Sequence, residues 1–384
     1  MRKILYSLVF MLAQLMAISQ NTSERILNSE EKLSIGGYAQ IDYNQKIDGE
    51  TKYNGIMDVH RMVLMVGYKF NERTRFITEL EVEHVQEVYV EQAFLDYKLK
   101  EGLNFRAGLL LIPMGIINEL HEPATFNGVE RPNLDNTLIP TTWREIGAGF
   151  TGRIGDSGLK YQLYVVNGFL SYNGSGLLRG SDAFRRGRQK GAESIFSNPN
   201  LSGKIEYSGI SSLKLGLSTY LGKSQSTLYD GIDKDNQQLI AVADSSVLGL
   251  SMIGLDFRYL KKGWNFKGQF NYASVKNTDE YNEFAAKDMG SALLGYYLEA
   301  GYNLLHSKDA DKKLVPFVRY EKYDTHYKVD GISKNVKFNH SDVTAGIGWW
   351  MAEGAVLKAD VQWLGNDGPD DTITQINLGV GIWF

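Results

Sequence analysis

The chain has 384 residues, long enough for two or three soluble domains, so length selects no architecture. Its 22 Tyr, 17 Phe and 40 Gly against seven Pro suit many strands joined by glycine-containing turns, and the absence of Cys excludes a disulfide framework and thiolate metal sites. A net charge of -4 excludes the basic surface of a non-specific nucleic-acid binder, and a mean hydropathy of -0.27 still allows a membrane barrel, because half of every spanning strand faces water.

Residues 1–19 read as a signal peptide: Arg2 and Lys3 are followed by an apolar run from Ile4 to Ile18, with small residues at Ala17 and Ser19 for cleavage before Gln20. The run is shorter than the roughly 20 residues a spanning helix needs. No later segment approaches that length, so a membrane location requires a closed barrel, the other way to satisfy every backbone N–H and C=O in hydrocarbon. The stretch 20–32 is polar, lacks alternation and is expected to be a periplasmic N-terminal segment.

From residue 33 to 384 the pattern is one of alternation. Candidate strands fall at 33–45, 56–70, 73–84, 87–99, 102–110, 144–154, 157–168, 199–208, 211–222, 247–260, 263–276, 290–305, 312–325, 335–351, 353–364 and 373–384. The terminal strand sets Ile376, Leu378, Val380, Ile382 and Phe384 against Gln375, Asn377, Gly379 and Gly381. Strand 353–364 sets Leu357, Val361 and Trp363 against Lys358, Asp360 and Gln362, three polar side chains that a soluble sandwich would have to bury. Lipid on one face and the lumen on the other is the lower-energy arrangement. Connections alternate between tight turns and long loops at 111–143, 169–198, 223–246, 277–289 and 326–334, as in an outer-membrane barrel with short periplasmic turns. The fold expected is therefore all-β: a transmembrane antiparallel up-and-down barrel of about 16 strands. Aromatic pairs such as Tyr68 and Phe70, Tyr320 and Tyr323, or Trp349 and Trp350 suggest interfacial girdles.

Loop 111–143, after the fifth strand, is the candidate constriction loop, with Glu119, His121, Glu122, Glu130 and Arg131 at or near the narrowing. The polar strand faces would line the lumen with Arg61, Lys69, Arg75, Arg106, Arg258, Lys267, Arg319 and Lys358. The same faces offer Asp42, Glu79, Glu81, Asp96, Glu145, Asp256, Glu299, Glu321 and Asp360, so most charges should pair and leave little net field. Loop 169–198 carries a basic cluster, Arg179, Arg185, Arg186, Arg188 and Lys190, read as a solvated extracellular loop, an anion-attracting mouth or a lipopolysaccharide contact. Two groupings place a His beside Ser or Asp, Asp324-Thr325-His326 and Asn339-His340-Ser341-Asp342. Neither has a third group fixed in sequence, so no enzyme is expected. His121 has no second His nearby, and neither a metal nor a cofactor is expected.

The stretches Gly108-Leu109-Leu110-Leu111-Ile112-Pro113-Met114-Gly115, Glu119-Leu120-His121-Glu122-Pro123, Val129-Glu130-Arg131-Pro132 and Trp143-Arg144-Glu145-Ile146-Gly147 resemble the phosphate-selective porin O and P-like family of Bacteroidota. Val166-Asn167-Gly168 and Pro316-Phe317-Val318-Arg319-Tyr320-Glu321 extend the resemblance. It implies a sixteen-stranded outer-membrane barrel, often trimeric, passing small solutes or ions such as phosphate. The expected function is a porin with a water-filled lumen, in contact with outer-membrane lipid and lipopolysaccharide. The rival is a barrel plugged by its own loops that acts as a scaffold or docking subunit of a larger outer-membrane complex, for which the abundant Tyr would supply contact area.

Overall fold

Alternation along the chain is realised as one closed sheet in a computed structural model, which describes residues 22–308, 311–369 and 372–384. The proposed signal peptide, 1–19, lies outside the described residues. The first strands are β1 (Leu33–Ile47), β2 (Ile56–Lys69), β3 (Thr74–Glu83), β4 (Glu87–Lys100), β5 (Leu103–Leu111), β6 (Arg144–Arg153), β7 (Leu159–Val166), β8 (Leu170–Tyr172) and β9 (Asn200–Ile210). They are followed by β10 (Leu213–Lys223), β11 (Gln225–Ser226), β12 (Gly249–Lys261), β13 (Trp264–Lys276), β14 (Ala292–Tyr302), β15 (Lys313–Lys328), β16 (Asn339–Ala352), β17 (Ala355–Asn366) and β18 (Ile373–Trp383). All but β8 and β11 form a closed antiparallel barrel in which each strand bonds to the next and β1 closes against β18. β8 and β11 make a small parallel pair of their own.

Closure removes every unpaired edge, which a lipid-exposed sheet cannot tolerate. The seam extends to the last residue: the Phe384 amide donates to the Gly37 carbonyl at 3.0 Å, and the Gly37 amide donates back at 3.1 Å. The sixteen expected strands all appear, with ends shifted by a few residues. β12 shows the facing clearly, with Ser251, Ile253 and Leu255 exposed outside and Leu250, Met252, Gly254 and Asp256 buried inside.

Period-two geometry also corrects the aromatic reading, since neighbours in a strand point to opposite faces. Trp349 is exposed on the outer wall, whereas Trp350 turns inward onto Val315 and Val356. Tyr320 faces outward, but Tyr323 is buried inside and donates to Asp342 at 3.2 Å. Tyr68 and Phe70 do pair edge to face, 4.9 Å between centroids, near the short-turn rim.

Two segments outside the wall enter the barrel, the N-terminal helix and the loop after β5. Helix α1 (Thr22–Leu27) is tucked into the short-turn mouth. There Ile26 takes the space beside Gly67, whose missing Cβ would otherwise lie 2.1 Å from it. Arg75 donates to the carbonyls of Leu27 and Ser29, and Glu24 meets Lys160 at 3.2 Å. Among the described residues, the other α-helices are α2 (Leu134–Thr137), in the loop after β5, and α3 (Gln237–Ser245) and α4 (Thr278–Ala285), in long loops. Among the described residues, no helix is long and apolar enough to cross a membrane.

Candidate functional site: a loop bound across the lumen

The loop between β5 and β6, residues 112–143, crosses the interior and bonds to walls on every side. Its apolar residues Ile112, Met114, Ile116, Phe126, Leu134, Leu138 and Ile139 form a buried core with wall residues Tyr38, Met65, Ile77 and Phe94. Such a core inside a barrel gains the usual burial energy, so the loop is held by packing as well as by polar contacts.

The polar contacts run round the barrel. The Lys204 ammonium (β9) donates to the Gly115 carbonyl at 2.7 Å and to Glu119 at 2.8 Å. Gln269 (β13) accepts from the Ile116 amide at 2.7 Å and donates to Asp135 at the same distance. Asn127 donates to Glu299 (β14) at 2.9 Å, the Leu134 amide to Glu321 (β15) at 3.1 Å, Asn133 to Asp342 (β16) at 2.8 Å, and the Val129 amide to Asp360 (β17) at 2.6 Å. Lys358, also on β17, donates to three loop carbonyls, Pro123, Phe126 and Gly128, at 2.5, 2.6 and 2.7 Å, and its ammonium lies 4.1 Å from the Phe126 ring centre. Inner-face charges that would line an open channel are consequently buried: Asp42, Arg61, Glu79, Glu81, Arg319 and Glu321.

The five expected constriction residues all lie in the lumen, but they do not form one ring. Glu119 is bonded to Lys204 and to Gln162 on the β7–β9 side. Burial opposes its charge, but Lys204, Lys160 and Gln162 outweigh it and lower its pKa to about 2. His121 is on the opposite wall, 3.1 Å from Glu91 and 3.4 Å from Glu79, with its other ring nitrogen 3.1 Å from the Asn118 carbonyl. There burial disfavours the imidazolium, yet Glu91 and Glu79 outweigh it and hold the ring well above its ordinary range. Glu122 accepts from the Thr22 amide at 2.6 Å, so it fastens α1 rather than facing a pore. Glu130 accepts from Asn44 at 2.9 Å, and Arg131 donates to the His121 carbonyl at 3.3 Å, holding the loop's own shape.

Several wall charges pair closely within a strand or between nearby strands. Arg61 lies 3.5 Å from Glu81, Arg106 3.0 Å from Asp96, and Arg319 2.8 and 3.3 Å from Glu321 and Glu299. Arg258 pairs with Glu206, and Lys267 donates to the Thr125 carbonyl at 2.9 Å. Glu145 is a hub for neutral donors: Trp143 at 2.8 Å, Gly168 at 3.0 Å and Tyr220 at 3.1 Å. Lys69 pairs with Glu30 and Glu72 at the rim.

Sequence reading missed Glu91 and did not single out Lys204 and Glu206. Glu91 falls on the outward parity of β4, but the register of β3 against β4 shifts between Glu79 and Leu80, and the extra residue of this bulge turns both Glu91 and Gln92 inward. Lys204 and Glu206 were legible as the polar face of β9, next to Gly203 and Ile205. The basic loop is not simply solvated. Arg188 and Arg185 donate to the Thr141 carbonyl at 2.5 and 3.3 Å, and Lys190 lies over the Tyr89 ring, so residues 185–190 clamp the inner loop from above. Arg179 and Arg186 pair with Asp182, both at 2.8 Å, and only Arg186 of these two is largely exposed.

Neither His grouping builds a nucleophile and base. Both ring nitrogens of His326 are occupied by backbone, Asp288 O at 2.6 Å and the Asn335 amide at 3.1 Å. His340 is stacked on Tyr323, and Ser341 accepts from Lys322 at 2.8 Å.

The fold is that of outer-membrane porins. The outer membrane channel DcaP of Acinetobacter baumannii superposes with a TM-score of 0.59 at 10% identity, covering 92% of this chain and 97% of that one. The anion-selective porin from Comamonas acidovorans gives 0.58 at 12% identity, covering 92% and 99%. No family model matches the sequence. At 31% identity over 357 residues, 88% of this chain and 77% of the relative, the chain belongs to the same family as an uncharacterized protein of Aquifex aeolicus (strain VF5).

Proposed function

We propose that the protein is an outer-membrane channel of the porin type for small hydrophilic solutes or ions, and that loop 112–143 closes it at rest. The observation that carries this is the pairing of an apolar outer wall with a charged inner wall, of which Lys204, Gln269, Glu299, Glu321, Asp342, Lys358 and Asp360 bond to one loop. In a closed barrel, polar groups facing the lumen have no structural purpose that apolar packing would not serve more simply. The loop pairs with no strand of the wall along its length, so it is the element that can leave without opening the sheet. On this reading α1 and residues 28–32, within the periplasmic segment 20–32, sit at the periplasmic mouth, the long loops face outward, and the chain is exported by cleavage after residue 19.

Selectivity is expected to be weak. A selective pore needs a ring of like charge, whereas Arg61, Arg106, Arg258 and Arg319 each face a carboxylate. The phosphate preference implied by the sequence resemblance would then have to come from Arg144, Arg185, Arg188 and Lys190 near the outer mouth. The plugged-scaffold reading is favoured by one observation, the bonding of the loop to β9, β13, β14, β15, β16 and β17 together. Liposome swelling with neutral sugars separates the two. The unaltered chain should admit small sugars slowly, and a variant with residues 114–141 replaced by a short Gly-Ser link should admit them faster; a folded unaltered chain that admits none supports the scaffold.

A further inference from the structure

At the long-loop rim, away from the inner loop, the hairpin joining β3 to β4 turns on Glu83-His84-Val85-Gln86, with the Gln86 amide donating to the Glu83 carbonyl at 3.1 Å. Both central residues have positive φ, 50° at His84 and 66° at Val85. This tight turn usually takes Asn or Gly there, and a β-branched residue is especially disfavoured. The geometry brings the His84 ring back over β2. Its Nδ1 lies 2.5 Å from Asp58 Oδ2, and His60 Nδ1 lies 3.7 Å from the same oxygen. The two rings meet edge to face with 5.6 Å between centroids. All three ligand atoms lie within 4.8 Å of one another, and the side chains are 27%, 30% and 51% exposed for Asp58, His60 and His84.

We infer that Asp58, His60 and His84 form a binding site for a borderline divalent cation, of which Zn2+ is the type. Two imidazoles and one carboxylate are the donor set such ions prefer over Mg2+ or Ca2+, which take oxygen ligands. Ligand atoms around a tetrahedral ion at ~2.0–2.1 Å stand a little over 3 Å apart, so only small side-chain rotations are needed. The partial exposure leaves room for water in the remaining position. A simple His–Asp hydrogen bond would account for His84 but not for His60 converging on the same oxygen. The second cluster of this kind, Glu79, Glu91 and His121, is different: it is wholly buried, has one His, and already carries Arg144 at 3.6 Å and the Tyr38 hydroxyl. Its charges are balanced without an ion.

The test is calorimetric titration of the purified, detergent-solubilised barrel with ZnCl2, paired with CoCl2 titration followed by visible absorption. The expected result is one saturable Zn2+ per chain, with His84→Ala, His60→Gln and Asp58→Asn each weakening it ~10-fold or more, since even second-shell changes cost that much. His121→Gln should leave it unchanged. On the unaltered chain, Zn2+ should shield His60 and His84, but not the exposed His306, from diethyl pyrocarbonate, read by peptide mass. Absence of saturable uptake, uptake unaffected by the Asp58 and His84 changes, or loss on His121→Gln alone would each overturn the proposal.

Discussion

Replacing Lys358 by Met removes one charge and leaves the strand intact, so it isolates what holds the loop. The ammonium is buried and serves three carbonyls of residues 123–128 at 2.5–2.7 Å. Charge-assisted hydrogen bonds contribute about 1.5–3 kcal/mol each, giving a gross loss of about 4.5–9 kcal/mol for the three. The variant also avoids burying an ammonium, a cost of several kcal/mol. Met also gives up the ammonium's contact with the Phe126 ring, 4.1 Å from its centre. The net effect is a weakening of loop docking by about 3 kcal/mol, and at ~1.4 kcal/mol per decade the docked-to-released ratio should fall roughly 100-fold. Single-channel recording should show a large rise in open time, and limited proteolysis should cut within 112–143 while the barrel stays folded. A variant as silent and as protease-resistant as the parent would refute the claim that Lys358 anchors the loop.

Three further outcomes follow from the same geometry. Docking should be pH-dependent with an optimum on the acid side of neutral. The lowered Glu119 contributes above its ordinary 4.5, and its contribution is lost as pH falls towards about 2. His121, raised above 6.5, contributes fully below that value, and its contribution is lost as pH rises through its elevated pKa; Asp135, raised by burial and by Glu321 to about 8, favours docking below 3.8 and progressively less up to about 8. Raising the pH from about 6 to about 9 should therefore lengthen openings, and a flat open probability over that range would contradict it. Gly108→Val should abolish barrel folding, since Gly108 has φ of 138° and an added Cβ would lie 2.2 Å from the Ala93 carbonyl oxygen; heat-modifiable gel mobility reads this directly. Leu255→Arg, on the outer face of β12, should destabilise the barrel by about 2–4 kcal/mol if it lies near the bilayer midplane, whereas a soluble-facing wall would tolerate it.

The wall was legible because most of its residues obey a period of two: β12, β17 and β18 announce both their faces and their pairing. The inner loop was legible in position and composition, through Pro113, Glu119, His121 and Arg131, but not in its contacts. Those depend on which carbonyl lies opposite Lys358 and which amide meets Asp360, facts fixed by the three-dimensional path of residues 112–143. The β3–β4 bulge that turns Glu91 inward shifts the parity of β4 between Val90 and Leu95, a phase change that one strand shows too briefly to place the extra residue. Trp350 and Tyr323 show the opposite error, in which residue type suggested a membrane girdle while strand parity placed them inside.

The central claim is that a porin-type barrel is closed by its own loop, and current across a planar lipid bilayer under a salt gradient tests it most directly. The parent protein should give rare, small openings with a reversal potential near zero, and Lys358→Met should give frequent openings of larger conductance. Constant large currents from the parent would contradict closure by the loop, and silence from both folded proteins would contradict the channel itself.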